Sequence, residues 1–597
     1  MLSPQDYYIQ QKATYDAQLQ KVSQLASKIS TLRLVTVLIA VATGIYIINS
    51  STPNTLWWAV AGIMLVFLVL VRKNLVLNEE MEGIKLFIIA IDNEQQALEG
   101  NYSAFADGQV YFDALHPYSY DLDLFGKHTI YQMLCRAVTL GGETLLATKL
   151  SKPALSKEEI ISQQQIAREL SSKPDLLLEF RVAGVAVKED PRDQSRITEW
   201  LQAPDVFASD KLLAAAIIVM PLLSLAGIAY SVYTAGFSPM LMGVLLVNGI
   251  IAKRYNAKVN ETARQVGNTS KLILKYERLL QQISGNQFTD ARLKAIANNA
   301  GRSLTEIAKL RKLVNAFDSR ANNMVGPLMN IFFLFNFINL VRLEKWKLQS
   351  SQLLLQAIEE MIETDANISC AVYAFNHPAN VYPTISGDDK LMSGKNLVHP
   401  LLHAKTAIGN DFTLGKNEQF YLLTGANMTG KSTFIRTIGV SLVMANIGLP
   451  LPAAELSIPV VDLYTSMRVT DSVQDDISYF KAELNRIKSL MTAVKQASHP
   501  YLILLDEPLR GTNSTDKQQG TRSIVENLLG YDARGIIATH DTILCDLEEH
   551  YPGRVTNYHF ESTVEATGLK FDFKLKRGGS TSNNATILMR LMGIINN

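Results

Sequence analysis

The chain has 597 residues, 47% of them apolar, and its 57 Lys and Arg against 56 Asp and Glu leave a net charge of +1. That length asks for several domains, a mean hydropathy of +0.08 favours some membrane-buried surface, and near-neutrality gives no global signal for nucleic-acid binding. Cys135, Cys370 and Cys545 lie far apart without paired spacing, which excludes a zinc knuckle or a disulfide framework and suits a reducing compartment.

Ser3-Pro4-Gln5-Asp6 carries a cap, a first-turn proline and an acid three on, so a Gln-rich amphipathic helix is predicted through Ser27, within a segment 1–30. Two apolar runs come next in 31–72, Leu34 to Ile48 and Leu56 to Val71, split by a polar turn and with Trp57-Trp58 placed as interfacial anchors. They predict a transmembrane hairpin, and connecting helices are expected over 73–117. A second hairpin is predicted over 211–252, from Leu212 to Val232 and Pro239 to Ala252.

Lys28 and Arg33, Arg72-Lys73, Lys211 and Lys253-Arg254 flank these four runs on one side. The orientation rule then makes the chain an integral protein of the inner, or cytoplasmic, membrane with its soluble parts in the cytoplasm. The competing reading, buried helices of a large soluble core, rests on the shortness of the fourth run. A fifth apolar stretch, Met324 to Val341, holds Asn330, Asn336 and Asn339. It is expected to be a core helix or one lying on the membrane surface, since a fifth span would place residues 342–597 outside the cell.

Residues 253–395 read as helical, and from Lys253 to Arg320 fourteen Lys and Arg meet only five acids. Such a stripe can neutralise nucleic-acid phosphates or lie against anionic lipid.

In 396–597 the chemistry becomes specific. Gly425-Ala426-Asn427-Met428-Thr429-Gly430-Lys431-Ser432-Thr433 comes after the apolar run Phe420 to Leu423 and opens a helical pattern, the layout of a phosphate loop. Gly425 and Gly430 let backbone N–H groups curl around phosphate oxygens, Lys431 reaches the β/γ-phosphates and Ser432 holds Mg²⁺. Tyr501 to Leu505 is a buried strand ending in Asp506, a metal anchor, and Glu507, a base for the attacking water. Gly535 to Thr539 delivers His540, where an imidazole could meet the γ-phosphate or the water. Taken singly, a glycine turn, exposed strand-end acids or a structural histidine would explain each feature. Together they occur in the order used by ABC-class ATPases.

Thr424 to Thr433, Leu502 to Glu507 with Arg510-Gly511-Thr512, and Ala538-Thr539-His540 resemble the ATPase domain of the MutS DNA mismatch repair family. His399-Pro400-Leu401, Asn410-Asp411-Phe412, Phe571 to Gly578, Asn584-Ala585-Thr586 and Met592-Gly593-Ile594 look like its flanks. Tyr120 to Gly126, Thr139 to Gly142, Leu150 to Pro153 and the stretch from Leu355 to Pro383 are similar to its helical core, which sets 118–210 as the first part of that core. The resemblance implies a dimer with composite sites, in which Ser478 of the segment Asp471 to Phe480 reaches the partner's γ-phosphate; an ordinary helix cap is the other reading of Ser478. It also implies long levers and a clamp around duplex DNA in 253–395.

Two departures stand out. Asp475-Asp476 replace a Gly-Gly pair, and their charge would repel a triphosphate unless lysine, arginine or metal faces it. The family's mismatch-sensing amino-terminal domain, with its phenylalanine wedge, has no counterpart in 1–117.

The expected architecture is multi-domain: transmembrane α-helical hairpins, an all-α core and lever region, and a carboxy-terminal α/β ABC-class P-loop ATPase domain. The expected activity is ATP hydrolysis with Mg²⁺ by a membrane-anchored homodimer that moves its arms, with Lys431, Glu507 and His540 in the reaction, Ser432 and Asp506 on the metal, and duplex DNA as the partner. The alternative is a mechanochemical ATPase acting on its membrane helices or on a protein.

Overall fold

The computed structural model describes residues 2–49, 57–153, 156–205, 207–236, 238–266, 269–318, 325–386, 392–403, 405–415, 418–426, 428–468, 479–497, 499–565 and 568–580. They form two compact units: residues 1–95, 138–141 and 175–365, and residues 96–137, 142–174 and 366–597.

The helices in chain order are α1 (Pro4–Asn49), α2 (Trp57–Leu98), α3 (Ile130–Leu134), α4 (Leu140–Ser151), α5 (Lys157–Ser171), α6 (Pro174–Val185), α7 (Asp193–Gln202), α8 (Lys211–Tyr233), α9 (Pro239–Val266), α10 (Ser270–Ser284), α11 (Ala291–Asp318), α12 (Val325–Phe333) and α13 (Phe335–Asn376). After β1 (Thr384–Ile385), β2 (Met392–Leu397), β3 (Asn410–Leu414) and β4 (Phe420–Thr424) come α14 (Lys431–Asn446), β5 (Glu455–Ile458), β6 (Asp462–Ser466), α15 (Tyr479–Lys495) and β7 (Tyr501–Asp506). The last elements are α16 (Ser514–Leu529), β8 (Ala533–Ala538), α17 (Leu547–His550), β9 (Val555–His559), β10 (Ser562–Glu565), β11 (Gly568–Phe571) and β12 (Lys576–Arg577).

The first unit is helical. Ser3 caps α1 as expected, its Oγ accepting from the Asp6 N–H at 3.1 Å. The helix then runs on through the first apolar run instead of ending near Ser27, because no Gly or Pro occurs between Pro4 and Gly44. α2, which contains Gly62 and Gly83 but no proline, likewise runs on through much of the predicted 73–117 connector. The two pack antiparallel, with Ala26 and Ile29 against Leu77, Tyr15 stacked on Phe87 at 4.4 Å, and Lys12 paired with Asp92 at 2.6 Å.

Among the described residues α1, α2 and α8 are long and apolar enough to cross a membrane, and only 6%, 6% and 17% of their most apolar windows is buried. The run Pro239 to Ala252, expected as the fourth span, is the amino-terminal half of α9, which Lys253-Arg254 continue as polar helix. The fifth stretch is not one helix. It breaks at Leu334, φ 52°, into α12 and α13, bent by 83°. The break frees the last carbonyls of α12. Asn248 Nδ2 on α9 donates to Ile331 O at 2.8 Å, and Ser224 Oγ on α8 donates to Phe332 O at 2.5 Å. Beyond the break Phe337, Leu340 and Val341 join Phe207, Leu213, Val259 and Phe317 in a core.

The basic stripe is partly consumed inside this unit. Arg311 pairs with Glu277 at 2.6 Å, Lys309 with Glu306 and Arg292 with Glu363 at 2.7 Å, and buried Lys275 with Glu189 at 3.2 Å. Lys253, Arg254, Lys258, Arg264, Lys271, Arg278, Lys294, Arg302 and Lys312 stand exposed, and Arg320 lies outside the described residues.

In the second unit a six-stranded sheet of order β12-β9-β4-β8-β7-β6 is parallel except for the edge strand β12. Both faces are covered, so the central strands β4 and β7 read as nearly unbroken apolar runs. Tyr421, Leu423, Leu504 and Ile536 face one core; Phe420, Leu422, Leu505 and Ile537 face the other. A second sheet of order β1-β5-β2-β3 starts upstream of the expected boundary at 396, since Thr384 and Met392 already belong to it. Residues 96–117 of the expected connector and 118–137 and 142–174 of the expected core also cluster with this unit.

Candidate functional site

Register brings the expected residues together. Leu423 on β4 lies beside Ala538 on β8, and Ala538 beside Asp506 on β7, so three parallel strands end on one row. The loop after β4, Glu507 after β7 and His540 after β8 therefore emerge at the same carboxyl edge, where open α/β sheets bind ligands.

The loop has little steric freedom. Gly425 sits at φ 135°, and a Cβ there would lie 2.5 Å from the carbonyl oxygen of Phe560; Gly430 sits at φ 106° and starts α14. Both conformations favour glycine. Thr429 Oγ1 donates to Ala426 O at 2.8 Å and closes the loop, and Met428, φ 67°, projects outward. Asn427 lies outside the described residues.

Lys431 opens α14, buried, with Nζ donating to Gly425 O at 2.5 Å and Ala426 O at 2.9 Å. Burial lowers its pKa, an effect the Glu507 and Asp506 carboxylates oppose. Ser432 Oγ donates to Asp506 Oδ2 at 2.6 Å. Glu507, φ 52°, contacts His540 Nε2 through one oxygen and Arg510 Nε at 3.2 Å through the other. Burial alone would raise its carboxyl, but the His540 hydrogen bond and charge, with Arg510 adding, hold it at about 2. His540 Nδ1 stands 3.0 Å from Gly425 O, so the ring ties the acid to the loop.

A cavity of about 390 Å³ opens beside this cluster. Lys431, Ser432, Thr433, Glu507 and Arg510 line its polar end, while Leu402, Ile408, Phe434, Phe560 and Phe573 supply apolar walls. Asn410 fixes the segment carrying Phe573, its Nδ2 donating to Phe573 O at 2.9 Å and its Oδ1 accepting from Leu575 N at 2.8 Å.

Backbone donors at a helix start, a buried lysine, and a hydroxyl beside a carboxylate suit a phosphate chain with a hard cation such as Mg²⁺, which takes oxygen ligands. Ser432 and Asp506 are the oxygens that would hold that cation. Sequence reasoning left Ile408 and Glu483 unmarked, and gave Phe573 and Arg510, quoted only within resembling stretches, no role; nothing local distinguishes them. Ser478, Asp475, Asp476, Asn584-Ala585-Thr586 and Met592-Gly593-Ile594 lie outside the described residues.

Residues 421–595 match the family model for MutS domain V. The DNA mismatch repair protein MutS of Thermotoga maritima is 30% identical over 246 residues, 41% of this chain and 30% of that protein. The chain belongs to the MutS family. Among other MutS relatives, the DNA mismatch repair protein MutS 2 of Halobacterium salinarum is 30% identical over 40% of this chain and 28% of its own length. The MutS of Aquifex pyrophilus is 25% identical over 513 residues, 78% of this chain and 58% of that protein. The alignments thus span about a third to three fifths of these curated MutS proteins. The matched model covers the row of strand ends and the cavity's polar end, where the MutS motifs lie.

Proposed function

We propose that this MutS-family chain binds and hydrolyses ATP as a membrane-anchored homodimer, in an ABC-class P-loop domain, and uses the cycle to move its helical unit on DNA. The observation that carries the hydrolytic reading is that Lys431, Ser432 and Glu507 line one cavity, with Asp506 bonded to Ser432 and His540 to Glu507 behind them, from three strands ending on one row.

The loop amides and Lys431 hold the phosphates, and the apolar end of the cavity, with Phe573 and Ile408, takes the base. Ser432 and Asp506 would hold a Mg²⁺ ion, which would supply charge neutralisation to the phosphate chain. Glu507 accepts a proton from the water that attacks the γ-phosphorus, while the bond to the ADP oxygen breaks; His540 holds Glu507 in aim. Ser478 of the partner subunit would complete the site, as the family resemblance implies.

The apolar, exposed faces of α1, α2 and α8 support membrane anchoring. With α12 ending against Ser224 and Asn248, the α12 and α13 pair fits a re-entrant element, and with the apolar first half of α9 as the return crossing after α8 the ATPase domain stays in the cytoplasm.

The proposal is tested on the detergent-purified full chain by ATP calorimetry and phosphate release, with Lys431→Ala alongside. Identical behaviour of that variant and the parent would sink the hydrolytic reading. DNA is tested with duplex, mismatched duplex and single strands over a salt series, with and without ATP; affinity should fall steeply with salt and change with nucleotide.

A second reading, a mechanochemical ATPase acting on its membrane helices or a protein partner, is favoured by the pairing of Arg311, Lys309, Arg292 and Lys275 within the protein, which leaves a thinner basic surface for phosphates. Feeble, nucleotide-insensitive binding to all three DNAs would select it.

A further inference from the structure

We propose that Glu483 on α15 is a positioning residue that sets the turn 507–511, and through Arg510 the aim of Glu507. The inference rests on the ATPase reading and adds to it a residue with no part in holding nucleotide.

Glu483 is buried, 3% exposed, and its carboxylate faces backbone: Oε1 accepts from Arg510 N at 3.2 Å and Oε2 from Gly511 N at 3.4 Å. A carboxylate is costly to bury unless donors meet it, and here the donors belong to the turn just past the strand-end acids. That turn is strained. Glu507 and Leu509 are non-glycine residues at φ 52° and 63°. Such conformations persist where the surroundings over-determine them, and they cluster at functional sites.

Two neighbours do so here. Glu483 holds the far side of the turn, and Leu509 fills the space beside Gly520 on α16, where an added Cβ would lie 2.3 Å from its Cδ1. From the pinned backbone Arg510 reaches back, with Nε 3.2 Å from Glu507 Oε2 and Nη2 donating to Asp506 O at 3.3 Å. His540 engages the other Glu507 oxygen. Both oxygens of the acid are thereby directed, one from β8 and one, at one remove, from α15. Removing the Glu483 clamp frees the turn to relax towards ordinary φ and swings Glu507, while Lys431, Ser432 and the loop amides keep their places.

The test compares the parent with Glu483→Gln, Arg510→Gln, Arg510→Lys and the Glu483→Gln/Arg510→Gln double variant, as full chains in detergent, by steady-state ATP hydrolysis and ATP calorimetry. Glu483→Gln should lower kcat about tenfold or more, since small misplacements of a catalytic group are that costly, with KM and ATP affinity within about twofold of the parent. Arg510→Gln should match it, Arg510→Lys should recover part of the loss, and the double variant should fall no further than the worse single one, because the two act along one path.

Unchanged kcat in Glu483→Gln, losses that multiply in the double variant, or a loss confined to KM would each overturn the inference while ATP uptake stands. Should Glu483→Gln fail to fold, Arg510→Gln, which keeps both backbone bonds, decides by the same kcat and KM split. A parent that takes up no ATP overturns the ATPase reading and the inference together.

Discussion

Ser432 Oγ donates to Asp506 Oδ2 at 2.6 Å, joining the first turn of α14 to the end of β7 across 74 positions of chain. On the proposed ATPase reading, two oxygens so placed would hold Mg²⁺. Ser432→Ala or Asp506→Asn should cut Mg²⁺-dependent phosphate release on the order of 100-fold, with chelation of the metal abolishing it in the parent. A Mg²⁺ titration of either variant that overlays the parent's would refute the assignment.

Glu507→Gln keeps shape and removes the proton acceptor. Turnover should fall roughly 10²- to 10⁴-fold while ATP uptake, measured by filter retention, stays near the parent's. Undiminished turnover would mean that another group activates the water.

Gly425→Ala places a Cβ 2.5 Å from the carbonyl oxygen of Phe560 at φ 135°. The strain should cost about 1–3 kcal/mol and weaken ATP binding with it. Thermal melts with and without ATP check both; a variant with the parent's melting temperature and the parent's ATP-induced rise would contradict the steric argument.

Asp365 predicts a pH dependence in the first unit. Burial pushes its carboxyl up to about 6, against the pull of hydrogen bonds from Thr139 Oγ1 (2.6 Å), Val138 N and Thr139 N (2.8 Å) and the charge of Lys275. The folded state then keeps a proton that the unfolded chain releases between about pH 4 and 6, so this group's contribution to stability is largest below that window and declines as pH rises through it. In Asp365→Asn the decline disappears. The parent's melting temperature minus the variant's should therefore fall from about pH 4 to pH 6.5 and level off above. Burial and Arg436 push His399 down to about 4, giving the opposite slope, but that histidine is common to both proteins and cancels in the difference. A flat difference would remove Asp365 as the source.

Leu38 and Leu65, 59% and 64% exposed on α1 and α2, are proposed to meet lipid. Replacing both by arginine should cost about 2.5–3.5 kcal/mol each at mid-bilayer and shift the protein out of the carbonate-resistant membrane fraction. Full retention there would show that the faces are covered by something other than lipid.

The placing of the glycine loop, Asp506-Glu507 and His540 at strand ends was legible because each comes after a short apolar run, and a parallel strand buried on both faces writes itself as such a run. The cap at Ser3 was legible because its bonds are local, three residues apart. The length of α1 and α2 was not, since apolarity changes along each helix while helical backbone does not. The break at Leu334 carries no glycine or proline at that position; Asn248 and Ser224, 86 and 110 residues earlier, make it tolerable. The second sheet was misplaced for a like reason: β1, two residues long, pairs with β5 more than seventy positions on.

By itself the sequence determined where a glycine loop and strand-end acids fall and which helices carry an apolar face, because loop glycines, strand-end acids and hydrophobic runs are consequences of local backbone geometry. Only the tertiary structure decided that Leu423, Ala538 and Asp506 end on one row, that Phe573 closes the cavity, and that Glu483 holds the turn bearing Glu507. Those are distances between segments tens to hundreds of residues apart, set by strand register and helix packing, and no local pattern of residue types encodes them.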